Sequence, residues 1–221
     1  MPITVRVWDL PTRLFHWALV VCVAGLITTA QLGGGAMLWH FQLGYVMLSL
    51  LLFRFVWGLV GGRWSRFTSF IYTPAAILRF IRLKTRPDQT VGHNPLGALS
   101  VFALLAILLL QVTSGLMSDD EISNAGPLSR FVSGYVVSNA TDYHKNIGKF
   151  ILLGLTLLHI AAIFFYLFKK KENLIRPMVT GDKQLPQPMP ATCDDAKSRL
   201  HALLVFVCSV GTVQGLVYLL A

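Results

Sequence analysis

Apolar residues are gathered into five long stretches, and most polar residues lie between them. The stretches cover roughly residues 14–34, 40–62, 96–118, 146–168 and 201–220. A helix needs about 20 residues to cross the hydrocarbon core of a bilayer, so each stretch is long enough for one membrane span. The pattern predicts an all-α integral membrane protein with five crossings.

Composition supports the same class. The 221 residues are 54% hydrophobic and only 13% charged, whereas a soluble domain carries about 25% charged residues. The first stretch is too long for the apolar region of a signal peptide, and Gln31–Gly35 follows it in place of a cleavage site. We therefore expect the first stretch to be retained as a helix surrounded by membrane lipid. Asp9 is a candidate cap for this helix, and Pro11 suits its first turn.

The net charge of +9 reflects topology and requires no nucleic-acid partner. The connection 31–39 is uncharged, and residues 119–121 are acidic. Because cytoplasmic connections are rich in Lys and Arg, the alternation predicts a cytoplasmic N-terminus and a periplasmic C-terminus. The basic residues fill every second connection: Arg6 and Arg13; Arg63, Arg66, Arg79, Arg82, Lys84 and Arg86; Lys169, Lys170, Lys171 and Arg176.

The chain divides into three segments by composition. Residues 1–172 hold the first four apolar stretches, residues 173–199 are polar and rich in proline, and residues 200–221 hold the fifth stretch. We interpret the middle segment as a flexible cytoplasmic linker and the last one as an appended transmembrane helix. The spacing Gly211–x–x–x–Gly215 permits close packing of that helix.

Two connecting segments carry patterns of their own. Pro74–Lys84 has the basic and apolar faces of an amphipathic helix, which lies on the anionic inner surface of the membrane or is a solvated connector. Pro127–Val137 is semi-apolar and predicts a lid over an outer site. The three cysteines, Cys22, Cys193 and Cys208, imply no disulfide framework.

Four of the six histidines lie where they can meet in two pairs. His144 and His159 share the fourth stretch, and fifteen residues of uninterrupted α-helix separate them by about 22 Å and about 60°. Under the predicted topology, His40 is level with His144 near the outer face, and His16 is level with His159 near the inner face. Metal-binding side chains within a span mark functional sites, and imidazole is a common ligand of haem iron. The four histidines therefore predict two haem irons at two depths.

Residues near these histidines are candidates for holding the rest of each haem. Arg54 lies fourteen residues after His40 and about 21 Å deeper. No apolar stretch contains Asp or Glu, so Arg54 either meets a haem propionate or snorkels to the inner surface. Arg13 is a second candidate for a propionate. Gly44 and Gly148, each one turn beyond a histidine, leave space for a flat macrocycle.

The two remaining histidines are interpreted separately. His93 lies just before the third stretch, where it caps the helix, binds a propionate or competes with His16 for the inner iron. His201 begins the fifth stretch, and we interpret it as structural. No C-x-x-C-H motif occurs, so any haem is bound without covalent attachment.

Several motifs together resemble one known family. They are VRVWDLPTRLFHW at 5–17, HFQLGY at 40–45, LFRFVWG at 52–58, GHNPLG at 92–97, and His144–x–x–x–Gly148 followed by His159. These runs are similar to those of the bacterial di-haem b-type cytochromes, a family that includes the cytochrome b subunits of Ni,Fe-hydrogenases. The resemblance covers roughly residues 4–180.

The resemblance implies a four-helix core that binds two non-covalent haem b groups in the bacterial inner membrane, with the fifth helix appended. Matched motif by motif, the axial ligands are His16, His40, His144 and His159. It further implies a respiratory subunit, rather than a stand-alone catalyst, that carries electrons between the quinone pool and a redox partner. That partner is a periplasmic c-type cytochrome or a hydrogenase or dehydrogenase subunit.

Two other functions remain as alternatives. A quinol oxidoreductase with its own quinone site would use polar groups near the outer histidines, for which the sequence offers Gln111, Thr113, Ser114 and Tyr143. A histidine-based metal-ion transporter would need carboxylates or thiolates clustered with the histidines, and the apolar stretches contain no carboxylate.

Overall fold

A computed structural model describes residues 3–82, 87–119 and 124–220, and within them the chain is mostly α-helical. The helices are α1 (Leu10–Leu32), α2 (Met37–Val60), α3 (Pro74–Ile81), α4 (Pro95–Met117), α5 (Gly134–Asp142), α6 (Lys149–Phe168), α7 (Ile175–Thr180) and α8 (Ala196–Leu220). A π-helical turn, Tyr143–Gly148, joins α5 to α6. Two short strands, β1 (Ile3–Arg6) and β2 (Asp182–Leu185), pair antiparallel with Ile3 opposite Leu185.

Five helical segments of the described chain are long and apolar enough to cross a membrane, which confirms the predicted fold class. They are Leu10–Leu32, Gly34–Val60, Pro95–Met117, Gly134–Phe168 and Ala196–Leu220. The fourth begins twelve residues earlier than the apolar pattern predicts. Ser133 caps it by accepting a hydrogen bond from the Val136 amide at 3.4 Å, so the last residues of the predicted lid are helical.

The described chain forms two compact units. The first unit comprises Met1–His16, Arg54–Phe102 and Leu158–Val205, and the second comprises Trp17–Phe53, Ala103–Leu157 and Phe206–Ala221. Each unit therefore takes one part of several long helices. Of the four paired histidines, His16 and His159 belong to the first unit, and His40 and His144 belong to the second.

The sheet lies in the first unit and has a small apolar core. Gly181 follows α7 with φ +91°, a backbone conformation that suits glycine, and its carbonyl accepts hydrogen bonds from the Val7 and Trp8 amides. The indole of Trp64 donates to the Pro190 carbonyl at 2.9 Å. The core consists of Val5, Val7, Trp8, Trp64, Val91 and Leu185, with Met178 and Met189 packed against it.

These contacts alter the interpretation of residues 173–199. The polar composition predicts a flexible linker, yet the segment contains α7 and β2 and is paired with the N-terminal strand. Asp194 receives hydrogen bonds from the Arg6 and Arg199 side chains and from the Leu10 amide. Proline and polar residues are compatible with packed turns as well as with linkers, and composition alone does not distinguish the two.

Asp9 fixes the start of α1 in the first unit. Its fully buried carboxylate accepts hydrogen bonds from the Thr12 amide and the Ser65 hydroxyl, both at 2.8 Å, and from the Trp57 indole at 3.4 Å. The first is an N-cap, as the sequence suggests. The other two tie the start of α1 to the end of α2 and the turn after it.

The short helix α3 confirms an amphipathic segment after α2. Thr73 caps it, and Pro74 occupies its first turn. Leu78 and Ile81 are 48% and 57% exposed. The predicted end at Lys84 lies outside the described residues.

Candidate functional site

In the second unit, His40 is oriented by the backbone of α1. Its Nδ1 lies 3.0 Å from the Leu26 carbonyl oxygen and 3.3 Å from the Thr29 hydroxyl. A carbonyl oxygen only accepts, so Nδ1 is the protonated donor in this bond. The neutral ring then has its lone pair on Nε2, the nitrogen available to a metal.

His144, also in the second unit, is oriented in the same way by α4. Its Nδ1 donates to the Gln111 carbonyl oxygen at 2.8 Å, and the Ser114 hydroxyl donates to that same oxygen at 3.0 Å. Gly115 lets the ring approach the helix, because a Cβ there would lie 2.8 Å from Cε1 of His144. Histidines that bind metals usually make this kind of bond to a carbonyl through the nitrogen that does not ligate.

The His40 and His144 rings lie at a separation suited to one shared metal. Their centroids are 6.1 Å apart and their planes are inclined at 87°. Two metal–imidazole bonds of about 2 Å each, together with the depth of the two rings, require a centroid separation of about 6 Å. The pair therefore fits an iron with an imidazole on each side.

The helix that carries His144 and His159 is not uniformly α-helical. The π turn Tyr143–Gly148 includes His144 and accommodates one extra residue, as π turns do at many functional sites. The sequence estimate of about 60° assumed an uninterrupted α-helix. When the extra residue is left out of the count, fourteen α-helical steps separate His144 from His159, and the two residues are then about 40° apart around the helix axis.

The two glycines predicted to make room for a macrocycle differ in their surroundings. Apart from the backbone of its own helix and its chain neighbours, no atom of the described residues lies within 4 Å of where a Cβ on Gly44 would stand, so the space beside Gly44 is open. A Cβ on Gly148 would overlap the Gln111 side-chain oxygen and contact the Tyr143 ring. Protein atoms therefore occupy the space next to Gly148.

In the first unit, several basic side chains lie within electrostatic reach of His93. Its ring is held between Trp8 and Phe70, with centroid distances of 4.7 and 4.5 Å. Burial, together with a smaller effect of nearby basic groups, lowers the pKa of His93 to about 3. The imidazole is therefore neutral at physiological pH. The positively charged or titratable neighbours are Arg54, Lys183, His159 and His16.

His16 and His159 lie within electrostatic reach of each other and of His93 in this unit. Both are half-buried. The structure thus places His93 near both members of the predicted inner pair. The sequence left open whether His93 binds a propionate or competes with His16 for the inner iron, and this position is compatible with either role.

Arg54 is buried, with 3% of its surface exposed, and packs over the Phe67 ring at 4.6 Å. Asp9 is a carboxylate close enough to act on it electrostatically, which the sequence argument missed because Asp9 precedes the apolar stretch. The Asp9 oxygens are already hydrogen-bonded to Thr12, Ser65 and Trp57. Within the described residues, Arg54 Nη1 is buried without a hydrogen-bond partner. An unpaired buried donor of a guanidinium fits an anionic group of a cofactor.

Arg13 is placed differently. Its guanidinium donates to the Val179 carbonyl at 2.6 Å and lies 3.8 Å from Asp194. The sequence predicted that this guanidinium binds a propionate, and these two contacts already use part of its hydrogen-bonding capacity. Its Nε remains buried without a hydrogen-bond partner among the described residues.

The polar groups offered for a quinone site are distributed around His144. Gln111 and Ser114 bond to His144 directly, and Tyr143 lies beside Gly148. Thr113 is exposed on α4. The sequence offered Gln111 as a quinone contact and could not predict its bonds to His144, since a backbone carbonyl that orients a histidine has no signal in the sequence.

Two further features of the described chain bear on the alternatives. A cavity of about 490 Å³ in the first unit is lined in part by Trp57, Cys193, Lys197 and His201. None of the four paired histidines lines this cavity. Within residues 3–82, 87–119 and 124–220, no three His, Cys, Asp or Glu side chains converge as a metal-ion site.

Comparison with known proteins identifies the type of protein to which the chain is similar. A family model described as prokaryotic cytochrome b561 matches residues 7–181. This range includes the first four membrane spans and all the candidate ligands. No solved structure matches the chain.

The chain is also similar to curated proteins named probable Ni/Fe-hydrogenase B-type cytochrome subunits. The Escherichia coli K12 protein, which carries the number 1 in its name, is 24% identical over 210 residues, which are 79% of this chain and 88% of that protein. The Bradyrhizobium diazoefficiens protein is 24% identical over 215 residues, covering 82% and 86%. The Rhodobacter capsulatus protein is 24% identical over 214 residues, covering 81% of each.

Proposed function

We propose that this chain, which belongs to the prokaryotic cytochrome b561 family, carries electrons across the bacterial inner membrane through two bis-histidine haems. Membership of a b-type cytochrome family makes haem b its cofactor. The proposed ligands are His40 and His144 for one haem, and His16 and His159 for the other. A low-spin iron with both axial positions filled exchanges electrons without offering a substrate position.

The observation that carries this proposal is the geometry of His40 and His144. Each Nδ1 is used by a backbone carbonyl, each Nε2 remains for a metal, and the rings stand 6.1 Å apart. Arg54 and Gly44 support it, because one is a buried guanidinium with an unpaired donor and the other borders open space. The protein's role is to orient the ligands, exclude water and set the two potentials.

The proposed partners are the quinone pool and a soluble redox enzyme. The relatives are named as hydrogenase cytochrome subunits, which supports a hydrogenase-type partner over a periplasmic c-type cytochrome. We also propose that residues 1–172 form the haem-binding part and that the N-terminus is cytoplasmic, as the alternating charges suggest. Single-turnover haem reduction by a quinol analogue tests the quinone link, and no reduction would exclude it.

Haem analysis of purified variants tests the central proposal. The wild type should contain two extractable haem b groups per chain, and His40→Ala and His159→Ala should each lose one. His201→Ala is the matched control, because His201 lines a different cavity, and it should keep both. A wild type with one haem or none, or a His159→Ala protein with two, would contradict the assignment.

A further inference from the structure

Gln111 makes two hydrogen bonds to a single residue, His144. Its side-chain Nε2 donates to the His144 backbone oxygen at 2.8 Å. Its own backbone oxygen accepts from His144 Nδ1, also at 2.8 Å. One bond therefore fixes the main chain of the histidine and the other fixes its ring. We call this pair of bonds the Gln111 clamp.

The clamp coincides with the π turn. A π turn departs from the regular α-helical ladder and is found mostly as a single turn, so an external donor to its backbone helps to hold it. Gly148, at the end of the turn, is buried, and a side chain there would overlap the Gln111 amide. The glycine therefore provides the space that the amide occupies.

The other atom of the amide makes this placement costly. Gln111 Oε1 is buried and has no hydrogen-bond partner within the described residues. A buried acceptor without a partner loses its hydration and gains no hydrogen bond in return, and such groups in native structures require an explanation. The explanation is that the same amide holds the main chain of His144 in position.

We propose that Gln111 is a positioning residue for His144, and that the clamp sets the orientation of this ligand and the reduction potential of its haem. The inference rests on the proposed function, because it assigns His144 as an axial ligand. A strong bond from Nδ1 makes the imidazole a better electron donor. A more electron-rich ligand stabilises ferric iron and lowers the potential.

Gln111→Ala tests the clamp by redox titration and by electron paramagnetic resonance of the ferric protein. Loss of the Nε2 bond should loosen the Nδ1 bond and raise the potential of the His144 haem. We expect the ferrous-to-ferric ratio of that haem to rise roughly tenfold at a fixed potential, the lower end of such effects at metal sites. Its low-spin signal should also move, because the ring can leave the 87° arrangement. The other haem is the internal control and should not change.

Leu110→Val is the matched control on the same helix, since Leu110 is 55% exposed, and it should leave both potentials unchanged. If Gln111→Ala loses both haems, Gln111→Met, which keeps the volume, replaces it in the same measurements. An unshifted potential and an unshifted signal in a variant that retains both haems would overturn the clamp and leave the haem assignment intact. A wild type without a haem at His144 would instead overturn the proposed function.

A double-mutant cycle with Gly148→Ala separates the clamp from the space for a macrocycle. In the wild-type background, the added methyl should displace the Gln111 amide and raise the same potential. In the Gln111→Ala background, the amide is absent and the added methyl meets only the Tyr143 ring, so Gly148→Ala should add a clearly smaller shift. An equal effect of Gly148→Ala in both backgrounds would contradict the clamp.

Discussion

At the scale of single residues, His40 and His144 use their two ring nitrogens for different purposes. In each, Nδ1 donates to a backbone carbonyl, of Leu26 or Gln111, and Nε2 remains for a metal. Because the carbonyl belongs to a neighbouring helix, the ring orientation depends on helix packing as well as on the histidine itself. A histidine held in this way is already oriented for the metal before the metal binds.

Arg54 tests the proposed contact with a haem propionate. A buried positive charge beside a haem favours the reduced state, which is the more negative of the two. Arg54→Gln should therefore lower the potential of the haem at His16 and His159 and leave the other one unchanged. Redox titration measures both. Arg63→Gln, which removes an exposed arginine, is the control, and a shift of equal size in that variant would refute a specific contact.

At the scale of elements, the carboxylate of Asp194 adds side-chain contacts to the backbone pairing of β1 with β2. Burial by itself raises the pKa of Asp194, but hydrogen bonds from Arg199, the Leu10 amide and Arg6 outweigh it and hold the pKa below its usual range. A depressed pKa means that the group stabilises the folded state above the unfolded value of about 3.9. The stabilisation is lost as the pH falls through the folded-state pKa.

Asp194→Asn tests this contact. The substitution should lower the free energy of unfolding by about 1–3 kcal/mol at neutral pH, because bonds to a charged group are lost. The difference from the wild type should shrink below about pH 4. Thermal unfolding across pH measures both effects. Asp142→Asn removes a carboxylate that accepts a hydrogen bond from the exposed Asn146 side chain, and it should change stability little. A pH-independent loss of stability in Asp194→Asn would contradict the role of the ionised carboxylate.

The sequence was sufficient to predict the elements that depend on strong local signals. Five apolar stretches predicted five spans, and Asp9 before Pro11 predicted the cap of α1. The π turn at His144 could not be predicted, because an extra residue in a helix has no composition of its own. The pairing of β1 with β2 joins positions about 180 residues apart in the chain, as Gln184 and Thr4 illustrate, and it depends on tertiary contacts.

At the scale of the whole molecule, the two compact units correspond to the two groups of histidines. The second unit holds His40 with His144, and the first holds His16, His93 and His159. The sequence predicted the two groups from depth in the membrane. It did not predict that Gln111 would orient one of them, since that contact joins α4 to the turn before α6.

Chemical labelling tests the proposed orientation of the chain in the membrane. Cys193 is exposed and lies before α8, on the side that alternating charges assign to the cytoplasm. A membrane-impermeant maleimide should label it in inside-out vesicles and not in intact spheroplasts. Cys193→Ser should abolish that signal, and labelling of Cys193 in intact spheroplasts would reverse the topology.

An experimental structure of the haem-loaded protein measures the central arrangement most directly. Iron should lie between the Nε2 atoms of His40 and His144, which should then stand about 4 Å apart, the sum of two metal–nitrogen bonds of about 2 Å each. A second iron should lie between His16 and His159. Iron bound by any other residue, or either pair of nitrogens too far apart to share one metal, would contradict the account.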